Sequence, residues 1–229
     1  MSALQPIVAE LVTLPDGQRC LLWRCEQQRH QLSSAPVGGG SGMVNWVVNL
    51  QVPALYGRHD LEVHAAEVGS HLGLAGPGVM MLTAADVGAV ASAGESGVRV
   101  DATVGISTPT WAAAEKPDEK LDEKPDGKPD EKPDGPGTIN IVVQLSESLT
   151  AAAAVNVVMT ATEAKTQALI EHGVDGTGTA TDAVVVLWPV GLVNSESIQF
   201  AGPRSKWGGS VARVVHAAVG AGVAEWRKR

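Results

Sequence analysis

The sequence predicts an α+β (or α/β) fold: a mixed, largely antiparallel sheet packed with helices, in a single domain over residues 1–229. Three observations lead there. Short β-rich runs are joined in some places by turn residues and in others through helical stretches, which requires a sheet of mixed sense. Apolar residues make up 44% of 229 positions, enough for a substantial core. One stretch, residues 112–136, cannot join that core, yet strand patterns resume on either side of it.

Ile7 to Leu14 and Gln18 to Cys25 are β-rich runs flanking Pro15-Asp16-Gly17, which is hairpin chemistry, and a third run from His30 to Ala35 continues the meander. After Gly38-Gly39-Gly40-Ser41-Gly42 comes an apolar stretch from Met43 to Val52. Asp60 is placed to cap a helix from Leu61 to about Leu72, ended near Gly73. Val79 to Thr83 is a short strand and Ala84 to Ser92 a short helix. Val98 to Ser107 and Thr138 to Ser146 are strands on either side of the insertion; if they pair antiparallel, the insertion is an overgrown hairpin loop. A long Ala- and Val-rich helix runs from Leu149 to about His172, closed by Gly173. Thr179 to Trp188 is a strand, and Val211 to Trp226 a last helix whose basic end suits the helix dipole. Val79–Asp86 and Val157–Glu163 echo each other faintly, as an internal duplication would.

Residues 112–136 hold five Lys against nine acids, a balance of −4 and half the net charge of −8. Their prolines block helix and their like charges repel, so a disordered, solvated, partly polyproline-II loop is expected, either a tolerated insertion or an acidic docking tail. The acidic balance argues against a grip on nucleic acid or anionic lipid. No apolar run approaches the roughly 18 to 20 residues that cross a bilayer, and the start lacks a signal-peptide pattern, so a cytoplasmic protein without membrane partners is expected. Cys20 and Cys25, pointing to opposite faces of a strand, read as two reduced core thiols.

Polar groups set against the apolar pattern carry the functional signal. Thr138, Asn140 and Val142 share one face of a strand whose other face is Ile139, Ile141 and Val143; Asn140 is either a functional amide or a structural one. On the long helix, Asn156, Thr160, Glu163 and Gln167 form one stripe, while Thr162, Lys165 and Thr166 lie on an adjoining face that either meets a ligand or enters solvent. Gly176-Thr177-Gly178-Thr179-Ala180-Thr181-Asp182 leads into a strand, with glycines that admit close backbone approach to a ligand, threonines along one side and Asp182 on the other. Neither this segment nor the Gly38–Gly42 run matches a phosphate loop or dinucleotide fingerprint. His64 and His71, near Asp60 and Glu67, lack metal-ligand spacing and read as an exposed charged helix face, so no metal site is expected. Six Trp against one Phe and one Tyr offer planar faces that would suit a large flat ligand.

Five motifs together resemble the adenosylcobinamide amidohydrolase family, CbiZ. They are Leu32-Ser33-Ser34-Ala35-Pro36 with Gly38-Gly39-Gly40, Val79 to Ala85 including Thr83, Gly137-Thr138-Ile139-Asn140-Ile141, Thr160-Ala161-Thr162-Glu163-Ala164-Lys165, and Thr177 to Ala183 with Thr179, Thr181 and Asp182. The likeness runs from about residue 30 to 220, outside the insertion; the loop from Pro189 to Lys206 departs from it. It implies hydrolysis of the amide joining aminopropanol, or its phosphate, to the corrin ring of adenosylcobinamide. Adenosylcobyric acid would be released in a cobalamin salvage step. The corrinoid is then the substrate, its cobalt needs no protein-bound counterpart, and no further cofactor is required.

Amide hydrolysis needs an activated water or nucleophile, donors for the tetrahedral oxyanion, and an acid for the departing amine. On the resemblance, Glu163 or Asp182 activates water, Lys165 protonates the amine or stabilises the oxyanion, and Asn140 with Thr or Gly backbone groups binds the oxyanion. A Ser34 or Thr nucleophile with Lys165 as base is the competing scheme. Ser33, Ser34, Gly39 and Gly40, with Thr83 and Thr138, are substrate-binding candidates, as are the Thr160/Thr162 and Thr179/Thr181 pairs. A corrinoid-binding carrier without chemistry is the alternative function. Subunit number is open, a homo-oligomer included.

Overall fold

A computed structural model describes residues 5–114, 137–191 and 197–229. Strands β1 (Glu10–Thr13) and β2 (Arg19–Ser33) form the hairpin expected across Pro15-Asp16-Gly17. The runs expected as two strands of a meander, ending at Cys25 and starting at His30, are halves of one 15-residue strand. A register shift between Arg24 and Arg29 joins them, a bulge that lets β2 bend without breaking. β3 (Gly40–Gln51) returns antiparallel to β2. Helix α1 (Leu61–His71) then carries the chain to β4 (Gly78–Thr83), parallel to β3. Asp60 stands at the start of α1 without capping it, because its carboxylate is held by Arg58.

The helix expected over Ala84–Ser92 is instead a single 3-10 turn, Val87–Ala89, leading into β5 (Ala91–Glu95). Asp86 caps that turn through Gly88 N–H, and Gly88 weakens any longer helix. β6 (Val98–Val104) and β7 (Ile139–Leu145) pair antiparallel from Val104 opposite Ile139 to Val98 opposite Leu145. The connection between them therefore joins adjacent antiparallel strands. Of the charged insertion, only residues 112–114 are described; 115–136 lie outside the described residues.

Helix α2 (Ala151–Glu171) is capped by Thr150, whose hydroxyl accepts from Ala153 N–H at 3.2 Å. Strand β8 (Ala183–Pro189) starts later than expected because Thr179–Asp182 form a turn. Helix α3 (Lys206–Trp226) begins five residues before the expected Val211, since Ser205 caps it through Gly208 N–H at 3.0 Å.

The strand order is β4-β3-β2-β8-β7-β6-β5, with β1 on β2. It contains two units of the same plan: β2, β3, α1, β4 and β6, β7, α2, β8 are each an antiparallel pair, a helix and a parallel strand. The echo read between Val79–Asp86 and Val157–Glu163 is not this repeat, because it matches β4 to the middle of α2.

α2 and α3 cover one face of the second unit, packing Val157 and Val219 over Ile139, Ile141, Val143 and Val186. α1 covers the first unit over Cys20, Leu22, Val48 and Leu50. A third cluster joins Leu21, Trp23, Val47 and Met81 of the first unit to Val142, Val185 and Leu187 of the second. The sheet curls so that these inner faces meet. Truncating such a fully buried residue, Ile141 for instance, costs about 2–5 kcal/mol.

Cys20 and Cys25 are both buried free thiols, and burial pushes each up to about 11. His64 is not on an exposed charged face: it is buried, 2.6 Å from the Tyr56 hydroxyl and stacked on that ring.

Candidate active site

The turn before β8 and the second half of α2 converge on one ion pair. Lys165, a buried residue of α2, meets the carboxylate of Asp182. Asp182 also accepts from Thr179 N–H at 3.1 Å, from the Thr179 hydroxyl, and from Ile139 N–H at 2.9 Å across the gap between β8 and β7. Four donors thus fill its two oxygens. That suits a positioning carboxylate better than a base that must take a proton from water. The Lys165 ammonium gives Asp182 one of its three N–H bonds.

Gly178 passes close beneath this pair. A Cβ there would overlap Asp182 Oδ2 and lie 2.5 Å from Lys165 Nζ, so what the glycine admits at this position is the ion pair itself. Beside it, the Thr138 and Thr181 hydroxyls are 2.6 Å apart, and Thr181 reaches the Gly137 carbonyl at 3.3 Å. Thr166 donates to the Thr177 carbonyl at 3.1 Å, so the α2 face bearing Lys165 and Thr166 is the one that meets the turn.

Ser33 and Ser34 end β2 alongside β8. Ser34 Oγ accepts from Val184 N–H at 3.0 Å on the exposed rim, and Ser33 Oγ accepts from Ala35 N–H at 2.9 Å. Asn140 starts β7 next to Ile139, but its side chain points to the inner face. There Nδ2 donates to Asn49 Oδ1 at 2.8 Å and to the Leu82 carbonyl at 2.9 Å, while Oδ1 is buried without a partner. Thr83, beside Leu82, is buried and accepts from Ala85 N–H at 3.0 Å.

The remaining candidates stand apart from the ion pair. Glu163 is exposed, and two residues of helix turn it about 200° away from Lys165. Thr162 is exposed and bonds back to the Val158 carbonyl, and Thr160 is buried against the Ala201 carbonyl. Gly39, in the loop between β2 and β3, and Gly40, the first residue of β3, are both exposed, and a Cβ on Gly39 would strike the Ala35 carbonyl. Sequence reading passed over Asn49, Thr103 and Asp101. Asn49 links Asn140 to Thr103 at 2.9 Å, and Asp101 accepts from Trp23 Nε1 at 2.9 Å and Ser92 Oγ at 2.6 Å. Their signal is a polar residue in an apolar strand, the same one that singled out Asn140. Among the described residues no group of three or more His, Cys, Asp or Glu could hold a metal ion, and no helix is long and apolar enough to cross a membrane.

Comparison with known proteins gives this frame its class, that of a hydrolase acting on an amide. The family model for adenosylcobinamide amidohydrolase, CbiZ, matches residues 8–229, and the chain belongs to that family. It is 26% identical over 197 residues to an adenosylcobinamide amidohydrolase from Methanosarcina mazei, an alignment covering 83% of this chain and 88% of the relative.

Proposed function

We propose that the chain hydrolyses the amide linking aminopropanol, or its phosphate, to the corrin ring of adenosylcobinamide. The products are adenosylcobyric acid and the free amino alcohol, in a cytoplasmic step that salvages incomplete corrinoids toward cobalamin. Family membership supports the substrate class, and the buried Lys165–Asp182 pair is the observation that carries the chemistry. Water adds to the amide carbonyl, the C–N bond of the tetrahedral intermediate breaks, and the amine leaves with a proton. Lys165, oriented by Asp182, stabilises the oxyanion or supplies that proton. The paired hydroxyls of Thr138 and Thr181 and the rim hydroxyl of Ser34 lie at the same end of the sheet, suited to binding the polar edge of a substrate. The alternative chemistry, a Ser34 nucleophile with Lys165 as base, uses the same end. Cobalt enters with the substrate.

The test is incubation of adenosylcobinamide with the purified protein, with products read by mass spectrometry. Equimolar adenosylcobyric acid and amino alcohol are expected. Tight binding without cleavage would make the protein a corrinoid carrier instead.

A further inference from the structure

We propose that a second site, at the end of the sheet away from Lys165, binds a phosphate group through Arg29. Arg29 lies at the bulge of β2, opposite Val44 of β3 and Pro189 of β8. It is only 8% exposed, its Nη2 donates to the Gln5 carbonyl at 3.2 Å, and its Nε is buried without a partner. Among the described residues no carboxylate pairs with it. A buried guanidinium with an unused N–H and no counter-charge is unfavourable unless an anion completes it.

Arg29 lines a cavity of about 390 Å³ beneath the turn that joins β5 to β6. The other charged groups of its wall are committed. Arg99 is bound to the buried Asp101, and Glu95, the one acid of the wall among the described residues, is held by Arg213 through two bonds. Gln144 is also used, its amide closing a two-bond clasp on Ile7 at 2.8 Å each way that fixes the Gln5–Pro6 wall. The charge left facing the cavity is that of Arg29, in a chain whose net charge is −8. The turn itself holds Ser96 at φ 48° and Gly97 at φ 82°, so a non-glycine residue occupies the left-handed region on the cavity rim. A planar fork of N–H donors matches an oxyanion, and the cavity exceeds a bare ion, leaving room for an organic group on the phosphate. β7 separates the two sites: Ile139 bonds Asp182, Leu145 lines this cavity, and seven residues of strand span roughly 20 Å.

Melting temperature across a titration of sodium phosphate, with ionic strength matched by sodium chloride, tests this. The wild-type protein should show a saturable rise of several degrees. Glycerol 3-phosphate should give a larger rise than inorganic phosphate if the occupant is an organic monoester, and a smaller one if it is free phosphate. Arg29→Met should melt at or above the wild type in chloride, because it removes an unpaired buried charge, and should lose the phosphate response. Ser96→Asp places a like charge on the exposed rim at a backbone conformation that Asp tolerates, so it should keep the wild-type melting temperature in chloride and also lose the response. Should Arg29→Met fail to fold, Ser96→Asp decides. No saturable rise in the wild type, or an equal rise in Ser96→Asp, would overturn the proposal.

Discussion

The ion pair between Lys165 and Asp182 occupies the space that a side chain at position 178 would need. The glycine, the lysine and the carboxylate therefore form one unit: α2 delivers the ammonium, the turn before β8 delivers the carboxylate, and Gly178 lets them close. With both partners largely buried, removing either leaves the other as an uncompensated charge, at a cost of about 3–5 kcal/mol.

Gly178→Ala should push the pair apart while leaving both charges in place. We expect turnover of adenosylcobinamide to fall by about 10²-fold, as displacements of about 1 Å do, with a stability loss of about 1–3 kcal/mol. Circular dichroism and steady-state cleavage assays measure the two effects. Wild-type turnover in the variant would show that closure of the pair is not needed.

How much of this was legible in the sequence depends on the range of the interaction. Local chemistry sufficed for the Pro15-Asp16-Gly17 hairpin, for α2 ending at Gly173, and for the antiparallel strands around the insertion. It also marked Lys165 and Asp182 as polar groups beside an apolar pattern, while their suggested roles came from the resemblance. What it could not supply is long-range. The two halves of β2 are held as one strand by β3, which pairs with both 20–24 and 29–33, and β8 adds a second partner along 29–33. The Asn140–Asn49–Thr103 chain exists only because the sheet curls, bringing together strands far apart in the sequence. Glu163 and Lys165 are two residues apart in one motif, yet the helix sends them to opposite sides.

The buried amides offer a second test. Asn49→Ala and Asn140→Ala should each destabilise by about 1–3 kcal/mol, since each strands a buried polar group. The double variant should cost less than the sum by more than about 0.5 kcal/mol, because both changes remove the same bond. Urea denaturation of the four proteins gives the coupling, and strict additivity would mean the two amides do not interact.

His64 gives the fold a pH dependence. Burial, and secondarily the Arg58 charge, hold the ring below its ordinary value of 6.5. The unfolded chain therefore takes up the proton first, and stability present above about pH 6.5 should decline as pH falls toward the lowered folded value. Asp60, lowered to about 2 by Arg58, acts only in a more acidic window. Denaturation at pH 7.5 and 5.5 should show this decline in the wild type and a weaker one in His64→Asn, which retains an acceptor for Tyr56. An undiminished decline would assign it to another group.

Deleting residues 116–134 should leave turnover and melting temperature nearly unchanged, because β6 and β7 are already held by seven paired positions and a shorter connection only lowers the closure cost. Loss of turnover with an unaltered melt would give those residues a part in catalysis.

The most direct measurement is the rate of adenosylcobinamide cleavage by Lys165→Met beside the wild type and Glu163→Ala, with each protein shown to be folded. Lys165→Met should lose at least about 10²-fold, in the range for removing one oxyanion-stabilising donor, and Glu163→Ala should stay within a few-fold of wild type. Wild-type cleavage by Lys165→Met would contradict the role given to Lys165.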